Sequence, residues 1–245
     1  MNQILITEKL YVTPEIKRKK RMYKIKFILS IFLICILFSY YIYAENGRNK
    51  SEEVAQKILG ELDEKDKTIK DNLNDIIIVE LEEREANNQV QSINEMLQEN
   101  NEKINKPNYN LESGDTTSIE ARLTIDKLGI DYPVFSDTSE ELLKVSLNKY
   151  WGNGPNKVGN YCIVGHNYAN GKMFGKLSQI QIGDIAVLKD METEREVTYE
   201  VYNKYIVDPT DVSCTSQLTQ GRKEMTLITC KNYGTQRLIV KCREV

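Results

Sequence analysis

Thr226-Leu227-Ile228-Thr229-Cys230, followed by Lys231-Asn232-Tyr233-Gly234-Thr235-Gln236 and then Arg237-Leu238-Ile239-Val240, is the stretch whose reading decides the fold. The alternating, β-branched composition of the first five residues is that of a strand. Thr226, Ile228 and Cys230 point one way, and Met225, Leu227 and Thr229 the other. Leu238 to Val240 reads as a second strand. The polar residues between them include the Asn and Gly of a hairpin loop. Antiparallel pairing across that loop sets Cys230 opposite Arg237. Directly opposed residues share a face with β-carbons about 5 Å apart. A thiol therefore stands beside a permanent cation, an arrangement suited to a sulfur nucleophile.

His166 is the only histidine in the 245 residues. Any Cys–His catalysis must use it, and a multi-histidine metal site is excluded. It closes the apolar run Asn160 to Gly165 and opens the polar stretch Asn167 to Gly171, so it is expected at a strand end.

The residues upstream extend the β pattern. Ile119 to Ile125 alternates as a half-buried strand, and Gly129 turns it into Ile130 to Phe135. Thr138 to Leu147 is predicted as a short helix with Thr138 or Ser139 as its N-cap. Trp151 to Pro155 and Gly159 make a loop, and Met173 to Leu177 a helical turn. Ile185 to Lys189 and Glu196 to Val207 add two strands, the second stopped by Asp208-Pro209. Seven or eight short strands with minor helices predict an all-β fold, a closed or nearly closed barrel.

The N-terminal half has a different character. Lys17 to Arg21, with Lys24 and Lys26, is a dense basic run, and Phe27 to Ala44 is an uncharged apolar segment. Its 18 residues lie near the lower limit for crossing a bilayer. The basic flank predicts a cytoplasmic N-terminus. The competing reading is a cleaved signal peptide ending at Ala44, which Ile42 disfavours at the third position from the cut. Ser51 to Lys106 is rich in Glu, Lys, Asn, Gln and Leu, with Val54, Ile58, Leu62 and Ile69, Leu73, Ile76 at helical spacing, repeated by Ile93, Met96 and Leu97. It predicts a helical, coiled-coil-like stalk, or else a polar spacer. Pro107 to Thr117 reads as a linker. The chain so divides into a basic tail (1–26), an apolar membrane segment (27–44), a stalk and linker (45–112) and a β domain (113–245) whose first strand begins near Ser118.

The net charge of −3 conceals a split: residues 1–44 carry +6, which leaves −9 for the rest. An acidic body argues against nucleic acid as a partner. The five cysteines (Cys35, Cys162, Cys214, Cys230, Cys242) show neither CxxC pairs nor zinc-ligand spacing. Cys162 and Cys242 sit in apolar strands and read as core. A Cys162–Cys214 or Cys214–Cys242 disulfide stays open for an exported chain.

Thr226-Leu227-Ile228-Thr229-Cys230 resembles the sortase TLxTC signature. Gly165-His166-Asn167 resembles that family's strand-end histidine motif, and Arg237 falls where its arginine is expected. The resemblance covers roughly Ser118 to Glu244. It implies an eight-stranded barrel whose catalytic residues gather at strand ends around a groove. It further implies a cysteine transpeptidase that cleaves an LPxTG-like sorting signal on surface proteins; no cofactor and no metal-ligand site are expected, and calcium dependence stays open. The acyl group would pass to a cell-wall precursor or pilin amine in Gram-positive bacteria. Cys230 would be the nucleophile, His166 the general acid and base, and Arg237 the donor to the oxyanion, with Thr229 shaping the substrate groove. The residues after His166 are similar to both class B and class D sortases. Only about 18 residues separate Val207 from the nucleophile strand, too few for the long helix of class B, so the reading leans to class D. Two other readings stay open: a cysteine endopeptidase that releases the acyl group to water, and a non-catalytic surface scaffold.

Overall fold

The structure, a computed structural model, describes residues 14–86, 106–111 and 114–245. Helix α1 (Pro14–Ala86) comes first, then the short strand β1 (Asn108–Asn110), β2 (Thr116–Ile125) and β3 (Ile130–Phe135). Next come α2 (Glu140–Val145), β4 (Leu147–Trp151) and β5 (Gly159–Val164). The chain ends with β6 (Ile185–Asp190), β7 (Glu196–Val207), β8 (Lys223–Lys231) and β9 (Gln236–Glu244). The sheet runs β2-β3-β4-β5-β8-β9-β7-β6, and β6 pairs back onto β2. Eight strands thus close a barrel, with β1 added beside β2. Closure removes every free edge among the eight.

The chain divides into two compact units, residues 1–49 and 50–245. Within the first, α1 carries the uncharged run Phe27–Ala44, the one stretch among the described residues long and apolar enough to cross a membrane. The side chains of 69–86 and all of 87–105 lie outside the described residues. The expected stripes at Ile69, Leu73, Ile76 and at Ile93, Met96, Leu97 fall there.

Within the second unit, alternation fixes what faces the interior. Ala121, Leu123 and Ile125 of β2, Tyr161 and Ile163 of β5, and Met225 and Leu227 of β8 fill the main core. Their neighbours face outward, and two patches of that outer wall are covered. Ile58, Leu59 and Leu62 of α1 pack with Ile119, Phe135, Leu142 and Met191. Each such aliphatic side chain contributes about 1.5–3 kcal/mol when buried. The contact is flanked by ion pairs of Asp63 with Arg122 and Asp66 with Lys189. The packed unit therefore begins well upstream of the expected boundary at 113. The third cluster joins Cys162, Ile228 and Ile239 to Cys214 of the β7–β8 connection.

Three elements differ from expectation. α2 is shorter than residues 138–147: Ser139 caps it by accepting from Leu142 N at 3.1 Å, and it stops at Val145. Ser146 turns its hydroxyl to Pro133 O, and Leu147 begins a strand that pairs parallel with β3. The expected turn at Met173 to Leu177 is made by Gly175 N donating to Lys172 O and Leu177 N to Phe174 O, and it runs on into a 3-10 turn at Leu177–Gln179. The expected linker 107–117 contains β1 and the first residues of β2.

Candidate active site

The β8–β9 hairpin has the register read from its sequence: Thr229 pairs with Leu238, Cys230 with Arg237, Lys231 with Gln236. The loop between them is a tight 3-10 turn, Asn232–Gly234, in which Asn232 (φ 49°) and Tyr233 (φ 55°) adopt the left-handed conformation. Arg237 Nη1 donates to Gly234 O at 2.9 Å and to Gln236 O at 3.2 Å. These bonds hold the guanidinium against the loop and leave Nε and Nη2 to donate elsewhere.

β5 lies parallel to β8, with Cys162 beside Thr226 and Val164 beside Ile228. The alignment continues past the end of β5. Gly165 N donates to Ile228 O at 3.2 Å, Thr229 Oγ1 to Gly165 O at 2.7 Å, and Asn167 Nδ2 to Cys230 O at 2.8 Å. His166 is thus held between two residues that are both bonded to β8. The structure brings Cys230, His166 and Arg237 to one end of the barrel. Thr229, by contrast, is only 1% exposed and faces the interior, so its hydroxyl ties the two strands together and does not line the groove.

The His166 ring is half-buried and packs against Tyr168, with ring centroids 5.0 Å apart. Burial, aided by the positive charge of Lys144 on α2, lowers its pKa below the ordinary 6.5. The neutral imidazole is therefore the main form at neutral pH. The sign of the linkage follows. On acidification the unfolded chain takes this proton first, so its contribution to stability is full above pH 6.5 and falls as pH drops below it. Lys144→Gln should raise the His166 pKa and weaken that loss. Because the chain has one histidine, an imidazole NMR titration reads the shift without assignment.

Cysteine chemistry separates the thiols. Burial pushes Cys162 and Cys242 up to about 12, and it raises Cys214 as well. Such thiols rarely ionise. Cys230 is half-buried on the outer wall at the strand end. All five described cysteines are free, so neither disulfide left open by the sequence is formed. Among the described residues, no three His, Cys, Asp or Glu side chains gather to hold a metal ion.

Sequence reading missed the residue that shapes one wall. Asn160, 1% exposed, gives Nδ2 to Cys214 O (2.8 Å) and Ser216 O (3.1 Å) and accepts from Thr226 Oγ1 at Oδ1 (2.6 Å). Its backbone N and O bond the Gln217 side chain at 3.0 and 2.9 Å. One amide thus pins the β7–β8 connection over the wall that carries Cys230. A polar residue opening an otherwise apolar strand was the available signal. Asn160→Ala would orphan several buried groups and should cost about 2–3 kcal/mol. A thermal melt would show this as a Tm lower by roughly 5–10 °C.

A family model described as the sortase domain matches residues 123–245. The chain is 27% identical over 117 residues to Sortase A of Bacillus anthracis, covering 47% of this chain and 54% of that protein. It thus spans about half the length of that curated relative. Among solved structures, a Clostridium perfringens Sortase D5 transpeptidase is 25% identical, with 52% of this chain and 79% of that one covered at a TM-score of 0.47. Sortase C-1 of Actinomyces oris is 26% identical, with 51% and 73% covered at a TM-score of 0.47.

Proposed function

The chain belongs to the sortase family, and from that premise we propose that it is a membrane-anchored cysteine transpeptidase acting on LPxTG-like sorting signals of surface proteins. The observation that carries this reading is the pair of strand registers that sets Cys230 against Arg237 and threads residues 165–167 along residues 228–230. In this mechanism the Cys230 sulfur attacks the carbonyl carbon of the sorting-signal threonine, and neutral His166 takes the thiol proton. The tetrahedral oxyanion receives hydrogen bonds from Arg237. The C–N bond breaks, His166 passes the proton to the leaving amine, and a thioacyl enzyme remains. An incoming amine then loses a proton to His166 as it displaces the sulfur. A cell-wall precursor or pilin amine is the acceptor by family analogy.

The apolar segment 27–44 would anchor the chain with its basic N-terminus in the cytoplasm and the barrel outside. The β7–β8 connection holds a single 3-10 turn, Ser213–Thr215, and no long helix, which favours a class D-like enzyme over class B.

The test is mass spectrometry of the detergent-solubilised full chain incubated with a library of sorting peptides, with and without a primary amine. An acyl adduct on Cys230 and an amide product are expected. Free acid alone, despite abundant amine, would convert the reading to an endopeptidase. No adduct with any peptide would favour the scaffold.

A further inference from the structure

The loop that follows His166 is tied at both ends. Its near end is bonded to Cys230 through Asn167. At its far end Met173 forms an antiparallel bridge with Asn167, and Phe174 N donates to His166 O at 3.0 Å. Met173 is buried at φ 48°, a left-handed conformation that a long side chain adopts only when its surroundings enforce it. Its backbone N–H donates to the Tyr132 hydroxyl oxygen at 3.0 Å. Tyr132, 4% exposed on β3, donates its own proton to Glu52 Oε2 at 2.6 Å. Burial, reinforced by Glu52, raises the phenol pKa and keeps that proton in place.

Glu52 belongs to α1. Gln56 Nε2 donates to its other oxygen at 3.2 Å, and the next turns are seated on the barrel by Ala55, Ile58, Leu59 and Leu62. A continuous chain of hydrogen bonds therefore runs from this helix, through one phenol, to the backbone that sets the imidazole.

We propose that Tyr132 and Glu52 are positioning residues for His166, so that the seating of α1 on the barrel determines how well the imidazole is placed for proton transfer. The placement rests on the transpeptidase reading only for its effect on turnover; its effect on the imidazole does not depend on that reading.

The experiment compares the full chain in detergent micelles with Tyr132→Phe, Glu52→Ala and Glu52→Gln. Tyr132→Phe leaves Met173 N buried without its acceptor and should lower kcat about tenfold with KM within twofold. Glu52→Ala should lower kcat by a smaller factor. Glu52→Gln keeps an oxygen to accept the phenol proton and should restore turnover. The unique imidazole resonance supplies the readout that a merely structural role would not move. A loosened, better-hydrated ring should titrate closer to the ordinary histidine value in Tyr132→Phe and Glu52→Ala, with Lys144, the charged neighbour on α2, untouched. An unchanged imidazole titration in both variants overturns the proposal, whatever happens to turnover. If Tyr132→Phe fails to fold, Glu52→Ala against Glu52→Gln decides the matter alone. A wild-type chain without turnover but with the shifted titrations would refute the transpeptidase reading and keep this one.

Discussion

Cys230→Ala should form no acyl adduct with any sorting peptide and lose turnover by a factor on the order of 10⁶, as expected when the nucleophile of a covalent mechanism is removed. No other thiol can replace it. Burial pushes the Cys162 and Cys242 thiols up to about 12, Cys214 is buried within the β7–β8 connection, and Cys35 lies in the apolar run of α1. The substitution removes one half-buried sulfur from the outer wall, so the melting temperature should stay close to that of the parent chain. Intact-mass measurement after peptide incubation, paired with a thermal melt, reads both quantities. Residual peptide cleavage in a folded Cys230→Ala chain would refute this assignment.

Arg237→Lys should cost roughly 10²–10³ in kcat with a smaller effect on KM, the usual loss when an oxyanion donor is removed. The reason is geometric, since charge is conserved. The guanidinium spends Nη1 on Gly234 O and Gln236 O, which aims the rest of the fork away from the loop. A lysine ammonium has no fixed plane, so it can satisfy those carbonyls or reach the substrate but cannot hold both geometries. Steady-state kinetics on a quenched sorting peptide separates kcat from KM. A loss confined to KM would make Arg237 a binding residue for the ground state and remove it from the oxyanion role.

What the sequence disclosed depended on how far apart the partners lie along the chain. The Cys230–Arg237 register was legible because alternation and an Asn–Gly loop are local signals. So was the N-cap to within one residue, Thr138 or Ser139, of which the structure uses Ser139. The neighbour relation between His166 and Cys230 was not derivable from the residues alone: it arises from parallel pairing of β5 with β8, and periodicity cannot specify such a partner. β4 was concealed because its pattern is broken. Asn148 is fully buried, while Tyr150 and Trp151 are exposed, so Leu147–Trp151 lacks clean alternation and its first residue was absorbed into the preceding helix. Val54, Ile58 and Leu62 were visible as a helical stripe. What they pack against was not, since a stripe that suits another helix suits a sheet face equally well. Thr229 shows the limit of motif reading: it belongs to the signature, yet its side chain points into the core.

The parallel pairing of β5 with β8 has a further consequence, for the order in which the barrel assembles. Gly159 meets Lys223 and Val164 meets Ile228 across 64 residues, with β6 and β7 made in between. Closing so long a loop is entropically slow, and folds dominated by such contacts form over milliseconds to seconds. A chain still unfolded would hold Cys230 without His166 beside it until nearly the whole barrel had formed. The imidazole and the sulfur meet only at that late step. Were Cys230 the nucleophile, premature acylation of a half-folded chain would thereby be avoided through topology alone.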